Sequence, residues 1–547
     1  MNRTVRTLLG LLTIGLIALT SCKKDQKEPH QNEGTTYVNV AISIPTGLRS
    51  IPGEGDDDEY NPKGKWNGKD AIEDVTVYVV DKNSVSWDSY TKDVDFEIIS
   101  ASQDPDPDNK AITIKPKKAI LTTPGDKKVY VVINAPQAIK DYLNKAIPNE
   151  FELAYEAAVS VITAKDAARD VTEAGGQKKD VILMTNATKP VVWTIEDGVT
   201  EEQAKQGTKN LIQIPVQRAV ARVLLTVSQE EYEITRADGV KLGKIKNITY
   251  AVAQGEKSFY LTQRRETPSS VAGSRGIVKT PGYDFVPRPD NDKPGTLRSK
   301  DYTNMAKYYD YSDLIETSKS GKERKAIKAE DVSDALKIGA QSLKQSAFIF
   351  ENTHKYGAYD IANYKGGYRR ANTAYVLVRA TFVPYDDAFA DKALYTGQHY
   401  QEGTTFYVGE NGALYHTSDN ATNYKISGAG GVKGQKVSEY TNGKVLYYAI
   451  VNPDNTERPL NAPVYRNNIY HIRVTGFKKI GMNWNPLFPE DPNTTNPKNP
   501  DPKPNNPNEP VPPIKPEDNN SIKETFMAVS VSVIPWDVHS YDIELTI

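Results

Sequence analysis

The sequence predicts an all-β protein, and three observations indicate it. Tyrosine outnumbers phenylalanine 32 to 12, a bias that suits half-buried pleated surfaces better than helices. Several segments alternate apolar and polar residues with the two-residue period of a strand. The 547 residues exceed what one hydrophobic core usually fills, so we expect two folded domains and additional segments.

Charge excludes one broad class of partner. The chain has 68 Lys and Arg against 70 Asp and Glu, and it has no run of basic residues. A nucleic-acid-binding protein would concentrate positive charge on one face. We therefore expect no nucleic-acid partner.

The first residues form a targeting segment rather than part of the fold. Arg3 and Arg6 precede an apolar stretch at 8–20, and Leu19-Thr20-Ser21-Cys22 has the pattern of a lipobox. The apolar stretch is too short to span a bilayer. We expect a lipoprotein signal peptide at 1–21, with lipid on Cys22 attaching the precursor to a membrane; the alternative is an ordinary signal peptide with an incidental cysteine. Because Cys22 is the single cysteine, no internal disulfide can form.

A strand is predicted directly after a polar tether. Residues 37–44 alternate strictly and place four apolar side chains on one face, namely Val38, Val40, Ile42 and Ile44. Turn formers lie on both sides of Arg49, and an acidic run follows at 56–59. This is the composition expected for an exposed, protease-accessible loop. We interpret 22–49 as a propeptide, with the tether and a removable strand, that is cut between Arg49 and Ser50.

The body of the chain then reads as two β-domains. The first is expected at 50–237, with strands at 75–80, 129–133, 181–184, 191–195 and 211–227, the last interrupted by Pro215, and one helix at 149–168. The second is expected at 238–484, with strands at 245–252, 258–262, 374–383, 404–408, 444–451 and 468–477. The helix is predicted from Phe151, Tyr155, Ala158 and Ile162 at helical spacing.

The last part of the chain changes composition twice. Residues 486–516 contain twelve prolines, so we expect 485–524 to be an extended, semi-rigid spacer of about 3 Å per residue. Apolar alternation then resumes in 525–547. These two predicted donor strands present Met527, Val529, Val531, Val533, Trp536, Tyr541, Ile543 and Leu545.

Two amphipathic strands at opposite ends of one chain suggest an exchange. An unpaired strand with an apolar stripe is an aggregation hazard and has to dock somewhere. Once the loop at Arg49 is cut, no covalent bond retains the first strand, and its departure would open a groove. The C-terminal strands have the same apolar period and could fill that groove in another molecule by strand addition. Such head-to-tail contacts produce a filament of identical subunits.

These features together resemble the major, or stalk, subunit of type V short fimbriae, in the fimbrillin family of Bacteroidales-type surface pili. The resemblance is carried by the lipobox, the Arg49-Ser50 site, the proline-rich spacer, the Pro535-Trp536 ending and three short runs: Val75-Thr76-Val77-Tyr78-Val79-Val80, Arg218-Ala219-Val220-Ala221-Arg222 and Arg466-Asn467-Asn468-Ile469-Tyr470.

The resemblance implies two transthyretin-like β-sandwich domains with small helical decorations. It also implies lipoprotein export, attachment of the precursor to the outer membrane through the lipid on Cys22, display at the cell surface, cleavage by an Arg-specific trypsin-like protease and polymerisation by strand exchange. Expected partners are the chain itself, anchor and tip fimbrial subunits, and host or bacterial surface receptors, in a fibre that serves adhesion and biofilm formation.

Other chemistries are weakly indicated. Asp104, Asp106 and Asp108 have calcium-loop spacing, but two prolines interrupt them and no downstream Glu follows. The glycines of 428–434 lack the Lys-Ser/Thr pair of a phosphate loop. The six histidines show no metal-ligand spacing. We expect no catalytic residue, no cofactor and no metal.

The alternative hypothesis is a monomeric surface lipoprotein that binds glycans through tyrosine-rich loops. The side chains that would stack on sugars are Tyr359, Tyr364, Tyr368, Tyr395 and Tyr400.

Overall fold

The computed structural model describes residues 34–45, 71–99, 111–172, 178–266, 277–292, 297–328, 346–355, 367–453, 461–489, 498–504, 509 and 527–535. Most of these residues lie in strands or loops, and the helices among them are short. The all-β prediction is confirmed. None of the helices in these ranges is long and apolar enough to cross a membrane.

The first group of strands is built around one large sheet. Its members and their neighbours are β1 (Thr36–Pro45), β2 (Asp74–Val80), β3 (Val85–Thr91), β4 (Phe96–Ile99), β5 (Ala111–Pro116), β6 (Ile120–Thr122), β7 (Gly125–Ile133), β8 (Ala158–Val159), β9 (Ala168–Thr172), β10 (Lys178–Ile182), β11 (Met184–Asn186), β12 (Val192–Ile195) and β13 (Leu211–Arg218). The sheet has the order β3-β2-β7-β11-β13-β1-β5-β4, with β12 added to β7 and β6 added to β1.

The second group forms a sandwich of its own. Its strands are β14 (Ala221–Val227), β15 (Tyr232–Thr235), β16 (Lys241–Ala253), β17 (Gly255–Glu256), β18 (Phe259–Tyr260), β19 (Arg265–Glu266), β20 (Ile277–Val278), β21 (Tyr309–Asp310), β22 (Ile327–Lys328), β23 (Ser346–Ile349), β24 (Tyr375–Pro384), β25 (Phe406–Gly409), β26 (Leu414–Tyr415), β27 (Val437–Tyr440), β28 (Lys444–Ile450), β29 (Asn468–Phe477) and β30 (Met527–Pro535). One sheet has the order β22-β14-β29-β30 and the other β15-β16-β24-β28.

Six α-helices decorate the described part of the chain. They are α1 (Gln137–Asn144), α2 (Phe151–Glu156), α3 (Glu201–Gln206), α4 (Ser299–Tyr308), α5 (Ser312–Glu316) and α6 (Ser418–Thr422). The predicted helix at 149–168 is therefore too long. Phe151 and Tyr155 are buried as predicted, but Ala158 is exposed and begins β8, which pairs with β18 of the second group. Pairing with a distant strand has overridden the local helical pattern.

The chain passes from the first sheet to the second at Ala219 and Val220. The predicted break at Pro215 is wrong, because Pro215 lies inside β13. The predicted end of the first domain at residue 237 also needs correction, because β14 and β15 already belong to the second sandwich. Both residues at the crossing are fully buried.

A shared apolar core joins the two groups. It combines Tyr78, Tyr130, Phe151 and Tyr155 of the first group with Phe259, Leu261, Phe350 and Ile469 of the second. Strand β2 contributes to this core with Tyr78 and to the core of the first sheet with Val75, Val77 and Val79. A strand buried on both faces reads as a continuous apolar run, which is what its sequence shows.

Candidate assembly site: the first strand, its groove and the C-terminal strand

Strand β1 has hydrogen-bonded neighbours on both sides. It runs parallel to β13, with Val40 opposite Ile212, and antiparallel to β5, with Ile42 opposite Ile114. Its first residues also pair with β6. A strand in this position leaves two open edges if it departs, because each neighbour loses its ladder partner.

The apolar face of β1 is a central part of the first core. Val38, Val40, Ile42 and Ile44 are between 0 and 3% exposed. They pack with the side chains of β2, β7 and β13 in a single cluster. Burying four such side chains contributes roughly 6 to 12 kcal/mol, at about 1.5 to 3 kcal/mol each. The strand that sequence analysis marked as removable therefore fills a deep apolar groove.

A polar clamp holds the start of β1. Thr36 is fully buried, and its Oγ1 donates to the Glu196 carbonyl oxygen at 2.6 Å. Thr36 Oγ1 also accepts hydrogen bonds from the Val199 amide at 3.1 Å and from Asn210 Nδ2 at 3.3 Å. We call the Glu196 carbonyl, the Val199 amide and the Asn210 side chain the Thr36 clamp. Sequence reasoning missed it, because a threonine before an alternating run looks like an ordinary strand residue.

The segment after the clamp is fixed by helix α3. The Thr200 side chain caps the helix and forms a reciprocal capping box with Gln203. Tyr37 packs beside it against Ala119, Val199 and Ala204. The groove of β1 therefore begins with a polar site and a pocket for an aromatic ring, and continues with four apolar positions.

The predicted C-terminal donor strand is paired within its own chain. Strand β30 lies antiparallel to β29, with Val529 opposite Val474, Val531 opposite Ile472 and Val533 opposite Tyr470. Within the chain it is therefore the last strand of the sheet β22-β14-β29-β30. Met527 is buried in the core of the second sandwich. The second predicted donor segment, with Trp536, Tyr541, Ile543 and Leu545, lies outside the described residues, as do Cys22, Arg49 and Ser50.

The first part of the proline-rich spacer is docked rather than free. Leu487 and Phe488 are 1% and 3% exposed and pack in the core that covers β24 and β28. Asp501 is 2% exposed. We call the described spacer residues 485–489, 498–504 and 509 the strap. The expectation of an extended spacer from residue 485 does not hold for them.

The strap is fixed by a buried ion pair. Arg379 of β24 donates from Nε and Nη2 to Asp501 Oδ2 at 3.0 and 2.9 Å. Its other donors reach the Thr317 hydroxyl and the Leu314 carbonyl oxygen. Lys444 adds a second cation at 3.3 Å from Asp501. The Arg379 guanidinium and the Lys444 ammonium together supply hydrogen bonds and positive charge to the buried Asp501 carboxylate.

A second acidic residue fixes the far end of the strap. Glu509 is 6% exposed and accepts from the Glu439 amide at 3.0 Å and from Asn483 Nδ2 at 2.6 Å. Burial raises the pKa of this carboxyl. Glu509 therefore attaches its end of the strap to Glu439 and Asn483.

A buried carboxyl also lies beneath the loops of the second sandwich. Glu256 is 1% exposed and accepts from the Thr280 hydroxyl at 2.7 Å and from the Gly282 amide at 3.0 Å. Burial raises the pKa of Glu256 to about 8. Neither Thr280 nor Gly282 carries a positive charge, so the neutral acid is the form that this site favours near neutral pH.

Several other sequence candidates have structural contacts. Tyr368 is fully buried and accepts from the His354 amide, so it cannot stack on an external sugar. Tyr395 stacks on His416 at 3.8 Å between ring centroids. Tyr359, Tyr364 and the aspartates of 104–108 lie outside the described residues. Within the described ranges, no group of three or more His, Cys, Asp or Glu side chains could hold a metal ion.

Comparison with known proteins decides the family. A sequence profile described as "Major fimbrial subunit protein type IV, Fimbrillin, C-terminal" matches residues 438–542. Two sequences of the minor fimbrium subunit Mfa1 of Porphyromonas gingivalis are each 31% identical over 557 aligned residues, covering 98% of this chain and 98% of theirs. The chain belongs to the fimbrillin family.

A solved structure of a fimbrillin, FimA of Porphyromonas gingivalis, covers 93% of this fimbrillin and 100% of its own chain, at 13% identity and a TM-score of 0.35. Fimbrillins are structural subunits of cell-surface fimbriae rather than enzymes. The profile match spans β27 to β30 and the whole of the spacer at 485–524, so the strap and the C-terminal strand of this fimbrillin lie within the matched region.

Proposed function

We propose that the chain is a repeating stalk subunit, exported as a lipoprotein at Cys22, cut after Arg49 and polymerised by strand exchange. The observation that carries this proposal is the position of β1. It is paired on both sides and buried in the core, yet it precedes the predicted cut site in the sequence. After cleavage, only non-covalent contacts would hold it.

The energetics favour exchange over an empty groove. Loss of β1 would expose the apolar side chains that it covers. It would also leave the backbone N–H and C=O groups of its two neighbouring strands without partners, and each of these hydrogen bonds is worth about 1 kcal/mol. The C-terminal strand of a second subunit offers four apolar side chains at the same spacing. In the uncut monomer that strand pairs with β29, so polymerisation replaces one pairing with another.

The proposed partners follow from this role. The subunit adds to copies of itself, to an anchor subunit at the cell and to a tip subunit at the far end. An Arg-specific trypsin-like protease removes the leader strand. The fibre then contacts host or bacterial surface receptors.

Cleavage and N-terminal sequencing test the proposal directly. Purified precursor treated with an Arg-specific protease should yield fibres whose subunits begin at Ser50. Arg49→Ala should yield none with any protease of this class. Arg49→Lys is the matched control, because trypsin should still release its leader and permit polymerisation whereas the Arg-specific protease should not. Fibres that retain residues before Ser50, or that form after deletion of the segment beyond Asn520, would contradict the mechanism.

A further inference from the structure

The sequence of β1 recurs near the C-terminus in the same direction. Residues 36–44 read Thr-Tyr-Val-Asn-Val-Ala-Ile-Ser-Ile, and residues 525–533 read Thr-Phe-Met-Ala-Val-Ser-Val-Ser-Val. Three of the nine positions are identical, and the aromatic residue and the apolar residues correspond at four of the others. The correspondence extends beyond the simple alternation of apolar residues, because it includes the threonine and the aromatic residue that precede the alternating run.

Each matched position has a defined environment in the groove. Thr36 lies in the Thr36 clamp, and Tyr37 lies in the pocket formed with Ala119, Val199 and Ala204. The four apolar residues that follow are buried in the core. The groove therefore selects a hydroxyl first, an aromatic ring second and an apolar side chain at every second position thereafter.

We infer that the donor strand of a second subunit enters this groove with Thr525 in the place of Thr36, parallel to β13 and antiparallel to β5. This inference rests on the proposed strand exchange and specifies its direction and register. Thr525 then supplies the hydroxyl that the Val199 amide and the Glu196 carbonyl need. Phe526 fills the Tyr37 pocket, and Met527, Val529, Val531 and Val533 replace the four apolar residues.

Other registers do not fit the groove. A slip of two residues places Met527 or Lys523 in the Thr36 clamp, where a buried amide would lose its acceptor or a charge would be buried. Reversal of the strand places Pro535 at the clamp, and proline has neither a hydroxyl nor an N–H group. The proposed register alone among these puts a small hydroxyl side chain at the polar position.

One position is less well matched. Asn39 is 1% exposed, and its Nδ2 donates to the Pro116 carbonyl oxygen at 3.3 Å. Ala528 takes this place in the proposed register and cannot donate. Ala528→Asn should therefore raise the temperature at which the fibre dissociates, because it restores a hydrogen bond to a buried carbonyl.

Cross-linking between subunits tests direction and register. In β1, Ser43 lies opposite Thr113 of β5, Ala41 opposite Gln213 and Asn39 opposite Leu211. Ser532→Cys should therefore cross-link to Thr113→Cys of the neighbouring subunit. A cross-link to Gln213→Cys would instead report a slip of two residues, and one to Leu211→Cys would report reversal; either would overturn the inference. The background is clean, because Cys22 is the single cysteine and leaves with the leader.

The same experiment separates this inference from the proposed function. If cut precursor forms no polymer, or if polymer forms without the C-terminal segment, strand exchange itself is wrong. If polymer forms normally but Ser532→Cys links at Gln213→Cys or Leu211→Cys, only the register is wrong. Within one subunit Ser532 pairs with His471 of β29, so a link to β5 or β13 reports contact between subunits.

The threonine provides a second, independent measurement. Thr525→Val keeps the shape and removes the hydroxyl, and it should weaken donor binding about tenfold, as expected for one buried amide left without its partner. Thr525→Ser should remain close to wild type. Thr235→Val, at an exposed position on β15, is the matched control. Equal polymerisation rates and equal dissociation temperatures for Thr525→Val and wild type would overturn the assignment of Thr525 to the clamp.

Discussion

Truncating Ile42 should destabilise the precursor but leave the fibre unchanged. Ile42 is fully buried in the first core, between β13 and β5. Ile42→Ala removes buried methyl and methylene groups and leaves a cavity, which costs about 2 to 5 kcal/mol. For a domain of this size each kcal/mol lowers Tm by about 2 to 4 °C, so the uncut first domain should melt about 4 to 20 °C lower.

Two measurements on the same preparation check this asymmetry. Urea unfolding of uncut precursor, followed by tryptophan fluorescence, to which Trp193 beside the first core contributes, should show the loss of stability. Fibres assembled from the cut Ile42→Ala precursor should dissociate at the wild-type temperature, because residue 42 has left with the leader. Ser43→Ala, on the half-buried opposite face, should change the precursor by about 0.5 kcal/mol or less.

A fibre that is destabilised as strongly as the precursor would contradict this prediction, because β1 would then remain in the assembled subunit. An unaffected precursor would also contradict it, because the strand would then not be part of the stable first domain.

Three further predictions concern the strap, pH and the junction of the two groups. Asp501→Ala should remove the anchor at Arg379 and release the strap, so tryptic cleavage after the exposed Lys498 in the uncut protein should accelerate at least tenfold. Asp387→Ala, with a 99% exposed side chain, should not change it. Glu256 has a folded pKa of about 8, raised above its unfolded value of 4.5. Its neutral form therefore stabilises the fold at low pH, and that contribution is lost as pH rises towards 8, at up to about 1.4 kcal/mol per pH unit. Urea titrations at pH 5 and pH 8 should show this pH dependence of the unfolding free energy in wild type and not in Glu256→Gln. Asp180→Ala should cost about 3 to 5 kcal/mol in urea unfolding because it breaks the buried pair with Arg222, whereas Glu196→Ala at the exposed pair with Lys209 should cost 1 kcal/mol or less.

Strands with one or two uniformly buried faces were predictable from the sequence. The run at 37–44 corresponds to β1, and the run at 468–477 has the same bounds as β29. Their patterns are clear because every second side chain, from Val38 to Ile44, meets a core. Local pattern and tertiary environment agree in these elements.

Features that depend on distant partners were not predictable. The residues after α2 have a helical pattern, but β8 pairs with β18 from the other sandwich. The composition around Asp501 indicates an unpacked spacer. Its burial is favourable because of distant cations, namely Arg379, which is 122 positions earlier, and Lys444. The Thr36 clamp likewise depends on Asn210. The repeated Thr-aromatic pair at 36–37 and 525–526 was the available signal, and its meaning depends on the environment of Thr36.

The core shared by the two sandwiches has a mechanical consequence for the fibre. Aromatic side chains from both groups interlock there, β8 of one pairs with β18 of the other, and Thr185 donates to the Leu261 carbonyl oxygen. A hinge at this junction would have to open an apolar interior to water. Each subunit should therefore transmit tension as a single unit, and the compliance of a stretched or bent pilus should reside in the connections between successive subunits.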